Sequence, residues 1–291
     1  MNVTYILQTV VDGLLLGGVY SLVAVGLTLI FGVMKVINFA HGTLMMLGMY
    51  STYWAFAFLH IDPYASILIA IPLLFIVGVC FQKFLINPII DAPEHNQLLL
   101  TLGVSLFLEN LVVFLWSPDY RIVRTSYEFT YFYIGDVSIS LLRVLAFCLA
   151  ILVASIVYLM LIKTDLGKAI RAAAEEPAGA LLMGINVRRI YWITFGIGAA
   201  CAGVAGAAIA PFFPVYPTVG GIFVITAFMV VVLGGMGSVI GAFIGGLIIG
   251  VADAVGGLLF PGAMKHLISA TIFILVLLFR PTGLFGGSNN A

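Results

Sequence analysis

The sequence predicts an all-α fold, a polytopic transmembrane helical bundle with about eight or nine spans. Hydrophobic residues make up 63% of the 291 residues and charged residues only 8%, whereas a soluble domain carries about 25% charged residues. The mean hydropathy is +1.22. Apolar runs recur along the whole chain, each close to the roughly 20 residues that a helix needs to cross a bilayer. The composition therefore favours a chain embedded in lipid.

Nine apolar runs indicate the helices of a single transmembrane domain over residues 1–291. Lipid offers backbone groups no hydrogen-bond partners, so each run is expected to be helical. Small residues between the seventh and eighth runs indicate either a turn between two helices or a break within one. The runs cover about residues 6–33, 38–59, 65–86, 97–116, 141–162, 190–211, 218–234, 238–258 and 265–280, and the small residues are Gly234, Gly235, Gly237 and Ser238.

Basic residues give the predicted orientation, because Lys and Arg favour cytoplasmic loops. Five of the twelve basic residues lie between 163 and 189, so this segment is expected in the cytoplasm. Alternation from there places the N-terminus and the 117–140 loop outside. Arg121, Arg124 and Arg143 depart from the rule, with acidic residues nearby. The Val, Tyr, Phe and Thr content of the 117–140 loop favours extended structure or a hairpin.

The 163–189 segment is more ordered than a simple connection requires. Lys168–Glu176 is Ala-rich and predicts a helix, and Pro177 either interrupts this helix or begins a new one. A second short helical piece follows; Gly184 suits its end, and Asn186 suits the N-cap of the next membrane helix. Two short amphipathic pieces on the cytoplasmic face fit either a groove on a partner or the lipid headgroup region.

Polar residues inside the 97–116 run are candidates for a translocation path, because polar groups in a span are costly unless they face a cavity or a partner. Glu109 and Asn110 fall in the middle of this run, and Thr101 and Ser105 extend a polar stripe toward Glu109. Glu109 fits either a path-lining acid or a structural acid that is hydrogen-bonded to a neighbouring helix.

Asn38 and His41 are further path candidates near the start of the second run. They are three residues apart and share a face if the segment is helical. They fit either a gate near the cytoplasmic side or helix capping and packing. No second His or acid has ligand spacing, so a metal site is not expected. Asp12 and Asp253 lie nearer helix ends, where we expect them to be solvated.

Glycine spacing predicts close helix packing near the C-terminus. Gly241 and Gly245 form one GxxxG pair, and Gly246 and Gly250 form another. Without Cβ atoms, helix backbones approach closely. The pairs fit either intramolecular packing or an interface with a second membrane subunit.

Enzyme motifs do not occur in the sequence. It contains no GxxxxGK[ST] loop, no HExxH and no GxSxG. We therefore expect no catalytic residue and no cofactor on this chain, and any ATP hydrolysis on another chain. The formal net charge of zero gives no bulk attraction to nucleic acid.

Four motifs resemble the branched-chain amino acid permease family of ABC importers. They occur in the expected order over nearly the whole chain, and the length resembles that of the shorter of the two paired permease subunits. One departure is Thr43, where many members have an acidic residue. The motifs are NFAHG at Asn38–Gly42, RAAAEEPAGALLMGIN in the 163–189 segment, VVLGGMGSVIGAFIGG near the C-terminus and RPTGLFG after the last run.

This resemblance implies a permease subunit in the bacterial inner membrane. It implies pairing with a related permease or a second copy of this chain, two cytoplasmic ATPases, and a periplasmic binding protein that delivers branched-chain or related amino acids, or amide-like solutes. Residues 171–185 match the family's coupling loop, so we name 163–189 the coupling segment. Its predicted ATPase contacts are Arg171, Glu175, Glu176 and Gly184.

The outer arginines are predicted docking residues for the binding protein. Arg121 and Arg124 fit either acidic groups on that partner or local pairing with Asp119 and Glu128. The alternative to the whole interpretation is a self-contained channel or secondary transporter for a small polar solute. That alternative is compatible with a glycine break inside a helix.

Overall fold

A computed structural model describes residues 3–260 and 262–286 of the chain. It is predominantly helical, as the sequence predicts, and each apolar run coincides with one helix. The helices are α1 (Val3–Met34), α2 (His41–Leu59), α3 (Ile67–Phe81), α4 (Glu94–Trp116), α5 (Leu141–Lys163), α6 (Asp165–Glu175), α7 (Pro177–Leu182), α8 (Val187–Ile209), α9 (Val219–Gly234), α10 (Val239–Leu259) and α11 (His266–Phe279).

Six of these helices are long and apolar enough to cross a membrane within the described part of the chain. They are α1, α4, α5, α8, α10 and α3, the last extended by a π-helical turn at Gln82–Ile86 and a 3-10 turn at Asn87–Ile89. The apolar helices α9 and α11 are shorter. The prediction of a multi-pass helical bundle is therefore confirmed, and six is the number of spans that length and composition support.

The helices α1 and α8 form the centre of the bundle, since 83% of the most apolar 18-residue stretch of each is buried. Glycines allow α1 to lie directly against α10. A Cβ on Gly250 would lie 2.4 Å from the Gly17 Cα, and one on Gly246 would lie 2.5 Å from the backbone of Ser21. Backbones at this distance gain dispersion contacts that larger side chains would prevent. The Gly246–Gly250 pair therefore serves intramolecular packing.

The glycine-rich stretch at 234–238 is a turn between two helices. Gly235 and Gly237 have φ of 100° and 90°, a region that side chains with a Cβ rarely adopt. The helices α9 and α10 then lie antiparallel, since Gly234 contacts Gly241 and Val230 contacts Gly245. The Gly241–Gly245 pair also packs within the chain.

The 117–140 loop forms the expected hairpin. Strands β1 (Tyr131–Ile134) and β2 (Val137–Ser140) pair antiparallel, with Tyr131 opposite Ser140. The part of the loop before the hairpin is fixed by Arg121, whose backbone exchanges hydrogen bonds of 2.9 and 2.8 Å with Val215. The hairpin and the α8–α9 connection therefore lie at one end of the bundle, which we name the hairpin end.

The opposite end carries α6, α7 and the α9–α10 turn, and we name it the coupling end. Gly237 donates a hydrogen bond to the hydroxyl of Thr28 on α1 (2.9 Å). The chain after α11 returns to the same place, where Leu284 bonds the carbonyl of Leu233 (2.8 Å). The helices α1 and α9 thus end, and α10 begins, at the coupling end.

Candidate functional site

Polar side chains of α2 and α4 meet inside the bundle. The Thr43 and Ser105 hydroxyls lie 2.5 Å apart, and Ser105 donates to a carboxylate oxygen of Glu109 at 3.3 Å. Because Ser105 has one proton, it accepts from Thr43 while it donates to Glu109. Thr43 and Ser105 are buried and Glu109 is partly buried. The three groups form a continuous polar chain between two helices.

Thr101 continues this polar face by one turn. Its hydroxyl accepts a hydrogen bond from the Phe39 backbone N–H and lies 3.2 Å from the Ile37 carbonyl. Thr101 therefore fixes the segment that precedes α2 against α4. The predicted stripe of Thr101, Ser105 and Glu109 does share one face.

Asn110 lies apart from this face. Its side chain is exposed and donates to the Leu106 carbonyl of its own helix at 2.8 Å. The structure therefore brings together three of the four path candidates on α4 and leaves Asn110 on the outer face of the helix.

Asn38 and His41 are both fully buried, but they do not share a helix face. The helix α2 begins at His41, and Asn38 lies in the turn before it, where its Oδ1 accepts from Ala40 N–H at 3.1 Å. The condition for a shared face, a helical segment from Asn38 to His41, is therefore not met, because the run starts with a turn. His41 Nε2 lies 3.0 Å from the Val23 carbonyl and donates to it, because that oxygen only accepts.

The buried turn also holds polar atoms without partners. Among the described residues, Asn38 Nδ2 and His41 Nδ1 have no hydrogen-bond partner. Most buried polar groups in folded proteins are paired. These two atoms therefore mark the turn before α2 as a candidate place for a transient polar contact.

The coupling segment folds as two helices separated at Pro177. Thr164 caps α6 by accepting from Gly167 N–H at 3.0 Å, and Pro177 occupies the first turn of α7, where its missing N–H costs nothing. Lys168 hydrogen-bonds Asp165 and holds the pKa of that carboxyl below its usual value. Asn186 caps α8, as the sequence predicts.

Gly184 ends α7 with a φ of +82°. Its N–H bonds the Leu181 carbonyl, and Ile185 N–H bonds the Ala180 carbonyl. Such a left-handed residue is the usual end of a helix and favours glycine. The chain therefore turns sharply out of α7 at Gly184.

The outward surface of the coupling segment combines charged and apolar side chains. Ile170, Ala173 and Ala180 are buried against the bundle, whereas the four predicted ATPase contacts are all exposed. Those four are Arg171, Glu175, Glu176 and Gly184.

Arg121 and Arg124 differ in their surroundings. The Arg121 guanidinium lies 4.9 Å from the Trp54 ring centroid and 5.2 Å from that of Tyr53, a cation–π arrangement, and donates to the Trp116 carbonyl. Arg124 is exposed. Within the described residues neither forms an ion pair, and Asp119 instead accepts from Ser117.

Two further charged clusters were not predicted. Asp12 pairs with Arg143 at 2.5 Å, and Asp253 is bonded to Ser269 at 2.5 Å and lies 3.1 Å from His266. The expectation that Asp253 is solvated was wrong, since α11 covers it and leaves it 4% exposed. A signal for the first cluster was present, because Arg143 departs from the orientation rule.

The fold and these sites define a multi-pass α-helical membrane protein with an internal polar layer and an amphipathic segment at one end. The family described as the permease component of a branched-chain amino acid transport system matches residues 9–277, so the chain belongs to that family.

Curated relatives agree over nearly the full length. The chain is 34% identical to the high-affinity branched-chain amino acid transport system permease protein BraD of Pseudomonas aeruginosa, covering 98% of this chain and 97% of the relative. It is 33% identical to the corresponding LivH protein of Escherichia coli strain K12, covering 97% and 96%. A probable LivH protein of Methanocaldococcus jannaschii is 30% identical, covering 91% and 88%. No solved structure matches the chain.

Proposed function

We propose that this chain is the membrane-spanning permease subunit of an ATP-driven ABC importer for branched-chain or related amino acids. The relatives that span the whole chain are named as permease proteins for these solutes. A periplasmic binding protein delivers the solute, and the chain pairs with a related permease or a second copy of itself. The chain resides in the bacterial inner membrane and carries no catalytic site or cofactor of its own.

The observation that carries this proposal is the apolar surface at the end of α7. Leu181, Leu182 and Met183 are 60%, 89% and 83% exposed, directly before the turn at Gly184. Three consecutive exposed apolar residues beside charged ones are typical of a surface that a partner covers. Two cytoplasmic ATPases supply such partners, and Glu175 and Glu176 give the surface its charge.

Nine spans fit the alternation of the helices between the two ends. The helices α1 to α5 and α8 to α11 then each cross once, with the N-terminus and the hairpin outside and the coupling segment inside. The shorter helices α9 and α11, of 16 and 14 residues, reach about 24 and 21 Å at 1.5 Å per residue, so flanking residues complete their crossing of the roughly 30 Å hydrocarbon core.

Solute passage uses the polar face between α2 and α4. Thr101, Ser105 and Glu109 offer hydroxyl and carboxylate groups along one helix, and the turn at Asn38 and His41 lies at its inner end. Movement of α6 and α7 with the ATPases shifts this turn and opens the path alternately to each side.

The binding protein docks at the hairpin end. Arg124 is exposed and carries the electrostatic part of this contact. Arg121 contributes less directly, because its guanidinium lies against Tyr53 and Trp54 and supports the loop.

Purification of the chain from its native membrane tests the assembly. We expect a core of two permeases and two ATPases in which ATP hydrolysis responds to the binding protein. A self-contained channel or secondary transporter is the alternative. Solute transport by the chain alone in liposomes, without ATPases, would establish that alternative and overturn the proposal.

A further inference from the structure

Two cavities meet at the hairpin end. The hairpin cavity, of about 320 Å³, lies beneath the β-hairpin, and the bundle cavity, of about 830 Å³, lies between α1, α9, α10 and residues 262–266. Both volumes fall in the roughly 300–1,000 Å³ range of small-molecule sites. Asp12, Arg143 and Phe212 line both cavities. These three side chains therefore stand at the junction.

The junction is formed by an accessible ion pair. Arg143 Nη1 lies 2.5 Å from Asp12 Oδ1, with the two side chains 38% and 31% exposed. Asp12 Oδ2 accepts from Gln8 at 3.0 Å, and Gln8 also bonds the backbone N–H and carbonyl of Ser138 in β2. A partly exposed pair contributes little net stability, so its charges are able to exchange partners with an incoming charged group.

The bundle cavity has an aromatic wall. The Phe223 ring centroid lies 5.5 Å from that of Phe213 and 6.1 Å from that of Tyr20, and all three side chains line the cavity. Contacting rings of this kind offer a large rigid apolar surface. Lys265 and His266 line the same cavity, so apolar and charged groups face one space.

A buried carboxylate lies behind His266. Asp253 uses its Oδ1 for Ser269 and His266, and its Oδ2 has no hydrogen-bond partner within the described ranges. The side chain is 4% exposed. The hydroxyl of Tyr20, which lines the bundle cavity, lies close enough to interact with this carboxylate.

The geometry points to a binding site, formed by the two cavities, for a zwitterionic amino acid with an apolar side chain. This inference rests on the proposed import function. The solute carboxylate binds the guanidinium of Arg143 in place of Asp12, and the solute ammonium group binds Asp12. The apolar side chain lies against Phe213 and Phe223.

Charge balance explains the preference for a zwitterion. A zwitterion brings one charge for each member of the pair, so Asp12 and Arg143 both keep a partner during the exchange. A solute with one charge pairs with only one of the two side chains, so it forms fewer ionic contacts than a zwitterion. The same ion pair therefore binds the solute and selects its class.

A purely structural ion pair that joins α1 to α5 is the competing explanation. Reversing both charges distinguishes a structural ion pair from a solute-binding site. The double substitution Asp12→Arg with Arg143→Asp restores an ion pair, and with it any structural contribution. It also inverts the charges that face the solute, so the apolar side chain no longer points to the aromatic wall in the bound orientation.

The test uses the whole permease–ATPase complex in nanodiscs and saturation-transfer NMR on the methyl groups of leucine. We expect Asp12→Asn and Arg143→Gln each to reduce the leucine signal at least tenfold. Asp165→Asn is the matched control, because it removes the exposed Asp165–Lys168 pair at the coupling end, and we expect it to leave the signal unchanged. Leucinamide and 4-methylpentanoate, which each lack one charge, should compete with labelled leucine more weakly than unlabelled leucine does.

The reversal variant decides between the explanations. Restored thermal stability with leucine binding still lost supports the site. Restored stability together with restored binding overturns it, as do undiminished signals in both single variants or full competition by the singly charged analogues. A wild-type complex that imports leucine without any leucine signal overturns this site and leaves the import function standing. A wild-type complex that imports no amino acid overturns the import function itself.

Discussion

The Glu109 carboxylate lies on a membrane helix, and the structure gives it one side-chain hydrogen bond, from Ser105 at 3.3 Å. Glu109 is partly buried and retains unused acceptor positions. An acid with spare acceptor positions on a polar face suits a path that a solute uses transiently. A purely structural acid is expected to have its positions filled.

Substitution of Glu109 tests its role in the path. We expect Glu109→Gln to lower solute uptake roughly tenfold, which corresponds to the loss of about one charge-assisted hydrogen bond. Uptake per complex is measured in proteoliposomes. Glu94→Gln on the same helix is the matched control, because Glu94 is exposed in the first turn of α4. Equal uptake in the two variants would leave Glu109 with a structural role only.

At this scale the sequence predicts side chains that neighbour each other along one helix. The spacing of Thr101, Ser105 and Glu109 is enough to place them on one face. The contact of Ser105 with Thr43 depends on how α4 packs against α2, which no local pattern encodes. Asp253 shows the same limit, because Ser269 on a later helix makes it buried.

Among the elements, α8 depends on glycines where α2 crosses it. A Cβ on Gly206 would lie 2.2 Å from the Met45 carbonyl oxygen, and one on Gly48 would lie 2.5 Å from the Gly203 carbonyl oxygen. The two backbones are therefore in direct contact, and there is no flexible side chain to give way.

Gly206→Ala is expected to destabilise the protein by about 1–3 kcal/mol, the usual cost of overpacking. Thermal unfolding of the purified protein in detergent measures the effect. Gly103→Ala in α4 is the control, because nothing lies within 4 Å of its added Cβ; the helix preference of Ala favours this variant by up to about 1 kcal/mol. Identical unfolding temperatures for the two variants would refute the close α2–α8 contact.

The turn at Gly184 sets the direction in which the chain leaves α7. Gly184→Val is expected to lower the uptake per ATP hydrolysed several-fold, because the left-handed conformation costs an L-residue roughly 1–2 kcal/mol and the exit from α7 shifts. Hydrolysis and uptake are measured on the same proteoliposomes at saturating binding protein, so that weaker docking does not alter their ratio.

Gly135→Val is the control for backbone strain in this experiment. Gly135 also has a positive φ (+60°) and open space around it, but it lies in the hairpin. Equal uptake per ATP hydrolysed in the Gly184 and Gly135 variants would show that the turn after α7 has no role in coupling.

Element boundaries were largely predictable. The lengths of the apolar runs predicted the membrane helices. Pro177 predicted the division of the coupling segment into two helices, and Gly184 predicted the end of the second one. The start of α2 was not predictable from hydropathy, since the turn at Asn38 lies inside the apolar run. The glycines at 234–238 fitted either a turn between two helices or a break within one helix. Only the packing of α10 on α9 distinguishes the two.

For the whole molecule, the two ends of the bundle define the expected orientation. Leu182 is 89% exposed at the coupling end, and Phe129 is 82% exposed at the hairpin end. Single cysteines at these positions, after replacement of Cys80, Cys148 and Cys201, report the side of each.

We expect Phe129→Cys to react with a membrane-impermeant maleimide in intact cells once the outer membrane is permeable. Leu182→Cys should react only after the inner membrane is disrupted. The opposite pattern would show that the topology is inverted and that the α7 surface does not face the ATPases.

ATP-driven uptake distinguishes an ABC importer from a self-contained transporter. The measurement is the accumulation of labelled leucine in proteoliposomes that contain this chain, its partner permease, both ATPases and the binding protein. We expect concentrative uptake that requires ATP and the binding protein, and that is lost when either is omitted. Accumulation that proceeds equally without ATP would contradict it.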